Sequence, residues 1–421
     1  MVRLQLDTAQ RFSCQQSGRC CRQPWEVAVS RSEVEAYRRE QAGRWFREKV
    51  VGDEGAAADP FERLPGLASR FYRIRKRDDG ACGFLSPAGR CRIHEELGGR
   101  RKPLTCRTFP WRLHPTPQGV VVTASFSCPT VVAQQGLTVG EQRSELRALH
   151  AEWAASRAEP ERPVRLSRRR SLPASALVTL REVLGEMLER RGPGGAPDLR
   201  RNVGRMARTL EDLSRYRVQR LSDERLSEYL ELTGRFAAKS DEPLPPRPPS
   251  RVARLLFRGL VFAVGAVRER LGAGEAGSLL KLRLARMLAH VHGVGPPVAG
   301  IDIAAVRRTP VPFEKEGLRR LAHGYLRAHL ATLGTGRSPV VEELGLAVGL
   351  LNAACAFAAM RASAEASAVT EQHLAEALME ASDCNAEGGR LSRLVGFLAG
   401  GVESLYLFEA GLTPAPERAA A

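Results

Sequence analysis

The stretch F-S-C-Q-Q-S-G-R-C-C, Phe12 to Cys21, puts three cysteines within ten residues, the last two adjacent. Four more follow at Cys82, Cys91, Cys106 and Cys128, so seven of the nine cysteines lie in the first 128 of 421 residues. An even scatter would put only about a third of them there. A disulfide framework needs an oxidising compartment, and M-V-R-L-Q-L-D-T-A-Q lacks the apolar core of a secretory signal, so a cytoplasmic location is expected. Seven is also an odd number to pair. Thiolates that gather in a reducing compartment hold metal, and ligation by Cys14, Cys20, Cys21, Cys82, Cys91, Cys106 and Cys128 is the expectation for the group.

The setting of each cysteine agrees. C-G-F-L-S-P-A-G-R-C, Cys82 to Cys91, puts two thiols at the ends of a turn, with Pro87 and Gly89 supplying the bend. Cys106 stands just before Phe109-Pro110, where proline stops a helix, and V-V-V-T-A-S-F-S-C-P alternates like a strand that delivers Cys128. Three separate segments, 14–21, 82–106 and 128, can meet only by folding together, and a bound metal would help to hold that domain closed. Paired knuckles of the zinc type are missing except around Cys14–Cys21, and seven thiols exceed the four that one zinc ion takes. An iron–sulfur cluster suits the irregular spacing better, with zinc as the alternative. His94 and His114 lie near the thiols in sequence and are candidates to complete a shell, although such histidines are more often plain surface residues.

These blocks resemble a known family. C14-Q-Q-S-G-R-C20-C21 is similar to the CxxCxxCC signature of the YkgJ-type zinc- or iron-chelating cysteine-cluster proteins. C91-R-I-H-E-E-L-G, L-T-C106-R-T-F-P and the S-F-S-C-P around Cys128 look closest to flagellin lysine-N-methylases of the FliB type, and Trp25 fits that branch. The resemblance covers residues 11–130 and departs from the pattern twice. Ser17 stands where the signature has its second cysteine, and Trp111 follows Phe109-Pro110 where the methylase branch usually has Arg. It implies a metal-binding N-terminal domain, with an iron–sulfur cluster ahead of zinc. For the methylase branch it also implies S-adenosylmethionine as methyl donor and a protein substrate such as flagellin. The alternative is a zinc- or iron-chelating binding module without catalysis, its helical region mediating assembly.

The net charge of +17 is uneven: residues 1–130 carry +9, 131–240 carry +6 and 241–421 carry +2. Nucleic acid, an anionic cofactor or an acidic protein would be drawn to the front half. Yet 58 of the 64 basic residues are Arg, which reads as compositional bias, and no nucleic-acid-binding motif accompanies them. Nucleic acid is therefore not an expected partner.

The fold class expected is mostly α: a small irregular α+β cysteine-cluster domain followed by a large helical region. W-E-V-A-V-S and F-Y-R-I-R-K-R-D read as short strands, and Ser30-x-x-Glu33 as a capping box opening a helix to about Lys49. From residue 141 the pattern is helical at 141–157, 172–191, 198–214, 221–239, 251–272, 275–292, 313–333, 339–362, 370–382 and 388–408. D-E-P-L-P-P-R-P-P-S, Asp241 to Ser250, cannot continue a helix and marks a boundary. Domains are thus expected at 1–140, 141–240 and 251–412. The longest apolar run, Leu344–Met360, contains Asn352 and is shorter than the roughly 20 residues of a bilayer span, so a core helix is expected and no membrane span. G-A-G-E-A-G (Gly272–Gly277) separates two helices instead of following a strand, and no P-loop, G-x-S-x-G, H-E-x-x-H or C-x-x-x-C-x-x-C occurs. His290, His292, His323 and His329 lack the spacing of a shared helical metal site.

Overall fold

The computed structural model describes residues 2–23, 25–39, 59–64, 71–116, 118–156, 163–167, 170–239, 247–270, 306, 308–336, 338–386 and 401–411. The elements of the first part run β1 (Leu4–Leu6), α1 (Arg19–Arg22), β2 (Ala28–Ser30), α2 (Arg31–Arg39), β3 (Phe61–Arg63), β4 (Phe71–Ile74), α3 (Arg92–Leu97), α4 (Leu104–Thr108), β5 (Trp111–Thr116), β6 (Gly119–Ala124), α5 (Pro129–Val132) and α6 (Arg143–Ala155). Then come β7 (Arg165–Ser167), β8 (Arg170–Ser171), α7 (Ala174–Glu189), α8 (Leu199–Leu213), α9 (Tyr216–Gln219), α10 (Asp223–Lys239), α11 (Arg251–Arg270), α12 (Glu316–Ala331), α13 (Val340–Ala364), α14 (Glu371–Ala386) and α15 (Val402–Glu409). The protein is mostly α with a small α+β part, as its patterning requires.

Two compact units follow contacts instead of chain order. One, the thiol unit, comprises Thr8–Leu113 and Cys128–Glu159; the other comprises Met1–Asp7, His114–Ser127 and Pro160–Ala421.

In the thiol unit, β2, β4 and β3 form an antiparallel sheet in that order, with Val29 opposite Tyr72 and Glu62 opposite Arg73. The two strand expectations, W-E-V-A-V-S and F-Y-R-I, are thus partners of one another. The capping box forms: Glu33 Oε2 accepts the Ser30 N–H at 2.9 Å and Ser30 Oγ accepts the Glu33 N–H at 3.3 Å. The α2 helix runs to Arg39, and the expected continuation to Lys49 lies outside the described residues. Val29, Val34, Tyr37, Phe61, Ile74, Phe84 and Ile93 make the core, and Cys82 is buried among them while Cys21, Cys91 and Cys106 pack against it.

In the helical unit, β1, β6 and β5 form a sheet in the order β1-β6-β5, which β5 enters at His114. β1 pairs parallel to β6, Leu4 opposite Val120 and Leu6 opposite Val122, and Phe126 beyond β6 meets the edge of Tyr325 on α12 at 5.3 Å. α13 carries apolar side chains all round, the signature of a helix wrapped by others, and α11, α12, α14 and α15 pack on it. At 25 residues it is long and apolar enough to cross a bilayer, but 83% of its most apolar window is buried inside the protein. Asn352, the polar interruption in that run, donates through Nδ2 to the Ser404 carbonyl at 2.8 Å, while its buried Oδ1 has no hydrogen-bond partner among the described residues. The segments 275–292 and 388–400 and the loop Gly272–Gly277 lie outside the described residues.

Candidate metal centre

All seven cysteines of the first 128 residues belong to the thiol unit, and local chain geometry explains how each arrives. The segment before Cys14 is held in place by the segment after α5: Phe12 N–H donates to the Leu137 carbonyl at 2.9 Å and Ser13 N–H to that of Gln135 at 3.1 Å. Beyond Cys14 the backbone takes positive φ at Gln16 (55°) and Gly18 (67°), which folds it back into α1 and sets Cys20 and Cys21 side by side. Gly18 sits against the turn of the second thiol block; a Cβ there would fall 2.1 Å from the Gly89 carbonyl oxygen. That turn closes through Gly89 N–H to the Ser86 carbonyl at 2.9 Å, with Gly89 at φ 77°, as the Pro87–Gly89 sequence requires. Cys82 N–H then donates to the Cys21 carbonyl at 2.7 Å, tying the first block to the second.

Cys91 precedes α3 and Cys106 lies in α4, which ends before the cis Phe109-Pro110 bond. The position of α4 is set from α2: Glu33 Oε1 accepts the Leu104 N–H at 2.7 Å while its other oxygen serves the capping box, and Thr105 Oγ1 donates to the Ala28 carbonyl at 2.7 Å. Cys128 stands buried at the N-cap of α5.

The thiols border two adjoining cavities of about 40 Å³ each, room for a few water-sized groups or an ion. Cys20, Cys21, Cys91 and Cys106 border both. The inner cavity adds Cys82 and an apolar wall of Val27, Ile74, Phe84 and Ile93, with Trp25 and Phe109 packed ring to ring at 5.4 Å. The outer cavity adds Cys14, Cys128, Gln16, Ser17 and His94, while Lys102 borders both. Cys21 is the hub, with the sulfurs of Cys20, Cys82 and Cys91 in hydrogen-bond contact with its own.

Electrostatics divide these thiols. The Cys21 contact and the Lys102 ammonium bring Cys20 down to about 7 against burial. Cys91 falls to about 6 through the Cys21 contact, the His94 and Ile93 backbone N–H groups and Lys102. Cys82 is lowered by Cys21, the Phe84 N–H and Lys76. Cys21 itself is pushed far up, because it is the proton donor to its neighbours, and burial pushes Cys106 and Cys128 up. Burial alone would lower the Lys102 ammonium, but Cys91, Cys14, Cys20 and Cys106 outweigh it and hold it above its ordinary value. The result is a set of partly ionised sulfurs balanced by one half-buried cation, the state from which thiolate ligands bind.

The donor chemistry therefore fits a thiolate-bound metal. The arrangement does not yet match a coordination shell: among the described residues, no group of three or more His, Cys, Asp or Glu side chains is placed to hold an ion as it stands. Cys20, Cys82 and Cys91 each interact with the Cys21 thiol, and closing on a metal would mean exchanging those interactions for metal–sulfur bonds.

The two histidines near the thiols in sequence part company. His94 borders the outer cavity, whereas His114 belongs to the helical unit and its Nδ1 pairs with Thr335 Oγ1 at 3.0 Å. His323 faces Glu189 at 3.0 Å and His329 packs against Tyr325 with ring centres 4.5 Å apart and planes tilted by 52°, both ordinary structural roles; His290 and His292 lie outside the described residues. Ser17 borders the outer cavity and is itself exposed. Lys102 belongs to no sequence motif, though a signal was there: it is one of only six lysines in a chain that otherwise uses Arg. Compared with family models, with curated proteins and with solved structures, the chain matches none.

Proposed function

We propose that this protein binds a metal centre through its thiol unit, an iron–sulfur cluster in the first instance and zinc in the second. The observation that carries the reading is the gathering of Cys14, Cys20, Cys21, Cys82, Cys91, Cys106 and Cys128, from segments up to 114 residues apart, around two adjoining cavities. Side chains that merely fill a core do not need a lysine drawn in among them; ionisable ligands do. Cys20 and Cys91, already lowered, would bind first, and Lys102 would offset the negative charge that the remaining thiols acquire on losing their protons. Such a centre would supply either electron transfer and Lewis acidity or a structural clasp.

Methyl transfer to protein lysines is the narrower proposal, supported by the wording of the blocks around Cys91, Cys106 and Cys128 and by their resemblance to flagellin lysine-N-methylases. It would require S-adenosylmethionine, and a flagellin-like protein as partner.

Anaerobic purification with metal analysis and visible absorption tests the first proposal. Iron with acid-labile sulfide and a brown chromophore is the expected result, and a colourless chain with stoichiometric zinc selects the alternative. A chain free of both overturns the proposal. Incubation with methyl-labelled S-adenosylmethionine and flagellin tests the second; no label on any lysine leaves the non-catalytic binding module.

A further inference from the structure

At the outer cavity stands an imidazole with one ring nitrogen left unbonded among the described residues. His94 Nδ1 is buried and, among the described residues, has no hydrogen-bond partner, although its ring borders the same cavity as six of the seven thiols. A buried ring nitrogen left unpaired is destabilising, so its position calls for a partner that arrives from elsewhere. The ring is held rather than loose. Its edge carrying Nε2 lies over Gly99, where a Cβ would come within 3.4 Å of Nε2, and α3 fixes its backbone: the Gly98 N–H donates to the His94 carbonyl at 3.2 Å. Cys91 stands at the N-cap of the same short helix, three residues before His94, so α3 carries both this thiol and this imidazole.

We propose that His94 is a metal ligand through Nδ1, on the side of the thiol cluster that Cys14 and Cys128 also border. This rests on the metal-binding reading above and sharpens it. Cys82 borders only the inner cavity, whereas Cys14, Cys128 and His94 border only the outer one, so the donors on the two sides differ in kind: sulfur alone within, sulfur with nitrogen without. Imidazole and thiolate together suit zinc or an iron–sulfur cluster with one histidine ligand, and neutral Nδ1 donates its lone pair without a change in the charge that Lys102 must balance.

The test uses the full chain purified anaerobically, comparing wild type with His94→Ala, His94→Asn and His94→Cys. Metal per chain and the absorption spectrum are the readouts. His94→Ala and His94→Asn are expected to lose at least half of the metal or to change its spectrum. His94→Cys, which restores a ligand, is expected to recover the metal with a spectrum shifted toward all-thiolate ligation. Circular dichroism on His94→Asn separates ligand loss from unfolding, and rescue by Cys but not Asn is an outcome a purely structural histidine does not give. Full metal and an unchanged spectrum in His94→Ala overturn the inference while the metal-binding reading stands. A wild-type chain without metal overturns both.

Discussion

Gly18 and Gly89 lie in contact: the Cβ that any other residue would place at 18 falls 2.1 Å from the Gly89 carbonyl oxygen. Gly18 has φ 67° as well, so a side chain there meets both backbone strain and a backbone clash. Gly80 has φ 77° but open space around its Cβ direction. Gly80→Ala should therefore cost about 1 kcal/mol, from strain alone, and Gly18→Ala on the order of 3 kcal/mol. Denaturant midpoints of the two variants check this. Equal losses would mean that the two thiol blocks are not pressed together as described.

Thiol reactivity in the metal-free chain should follow the ionisation pattern. Cys91, lowered to about 6, and Cys20, lowered to about 7, exist largely as thiolates at a pH of about 7.5, while Cys106 stays protonated. Brief alkylation followed by peptide mapping should mark Cys91 and Cys20 ahead of Cys106. A flat pattern, or Cys106 first, would contradict the electrostatics.

The same shifts fix a sign for stability. A thiol with a lowered folded value contributes stability that is present above its unfolded value near 9 and lost as pH falls through the folded value, here about 6 for Cys91. The metal-free thiol unit should thus weaken as pH falls from about 9 to about 6, and Cys91→Ser should flatten that dependence. Melting temperature against pH for both chains is the measurement.

In the helical unit, burial pushes the Glu343 carboxyl up to about 7, although its Oε2 accepts the Gly334 N–H at 2.6 Å. A carboxyl raised in this way gives its full stability below about 4.5, and the contribution is lost as pH rises through about 7. Glu343→Gln removes the ionisation and should gain on the order of 2 kcal/mol over wild type at a pH of about 8, with little difference at about 4.5. A variant that is weaker at the higher pH would show that the ionised carboxylate is what holds the turn at Gly334.

Much of this was legible in residues alone. Among the described residues, amphipathic helices such as α7, α8 and α12 follow their 3.6-residue periodicity, because each buries an apolar stripe, and α13 was legible instead as one long apolar run. The Ser30–Glu33 box was legible too, since both of its bonds are local. What was not legible depends on distant parts of the chain. Glu33 spends its second oxygen on Leu104, 71 residues away, and no local pattern announces that. β1 is three residues long and owes its existence to β6, over a hundred residues later, so its own sequence carries almost no strand signal. His94 and His114 look equivalent in sequence and fall in different units, because the chain leaves the thiol unit at residue 113 and returns only at 128.

That departure and return has a consequence for anyone who handles the protein in pieces. Residues 114–127 are spent on the helical unit before the chain supplies Cys128, and residues 1–7 belong there as well. No single cut separates the units: a fragment ending at residue 140 keeps every one of the seven thiols but strips the helical unit of β1 and β6, and one starting at residue 160 lacks them from the outset. On the ribosome, likewise, the last of these thiols emerges only after the excursion through β6 is finished. The complete set of proposed ligands is therefore in hand only once the chain has returned to the thiol unit at Cys128.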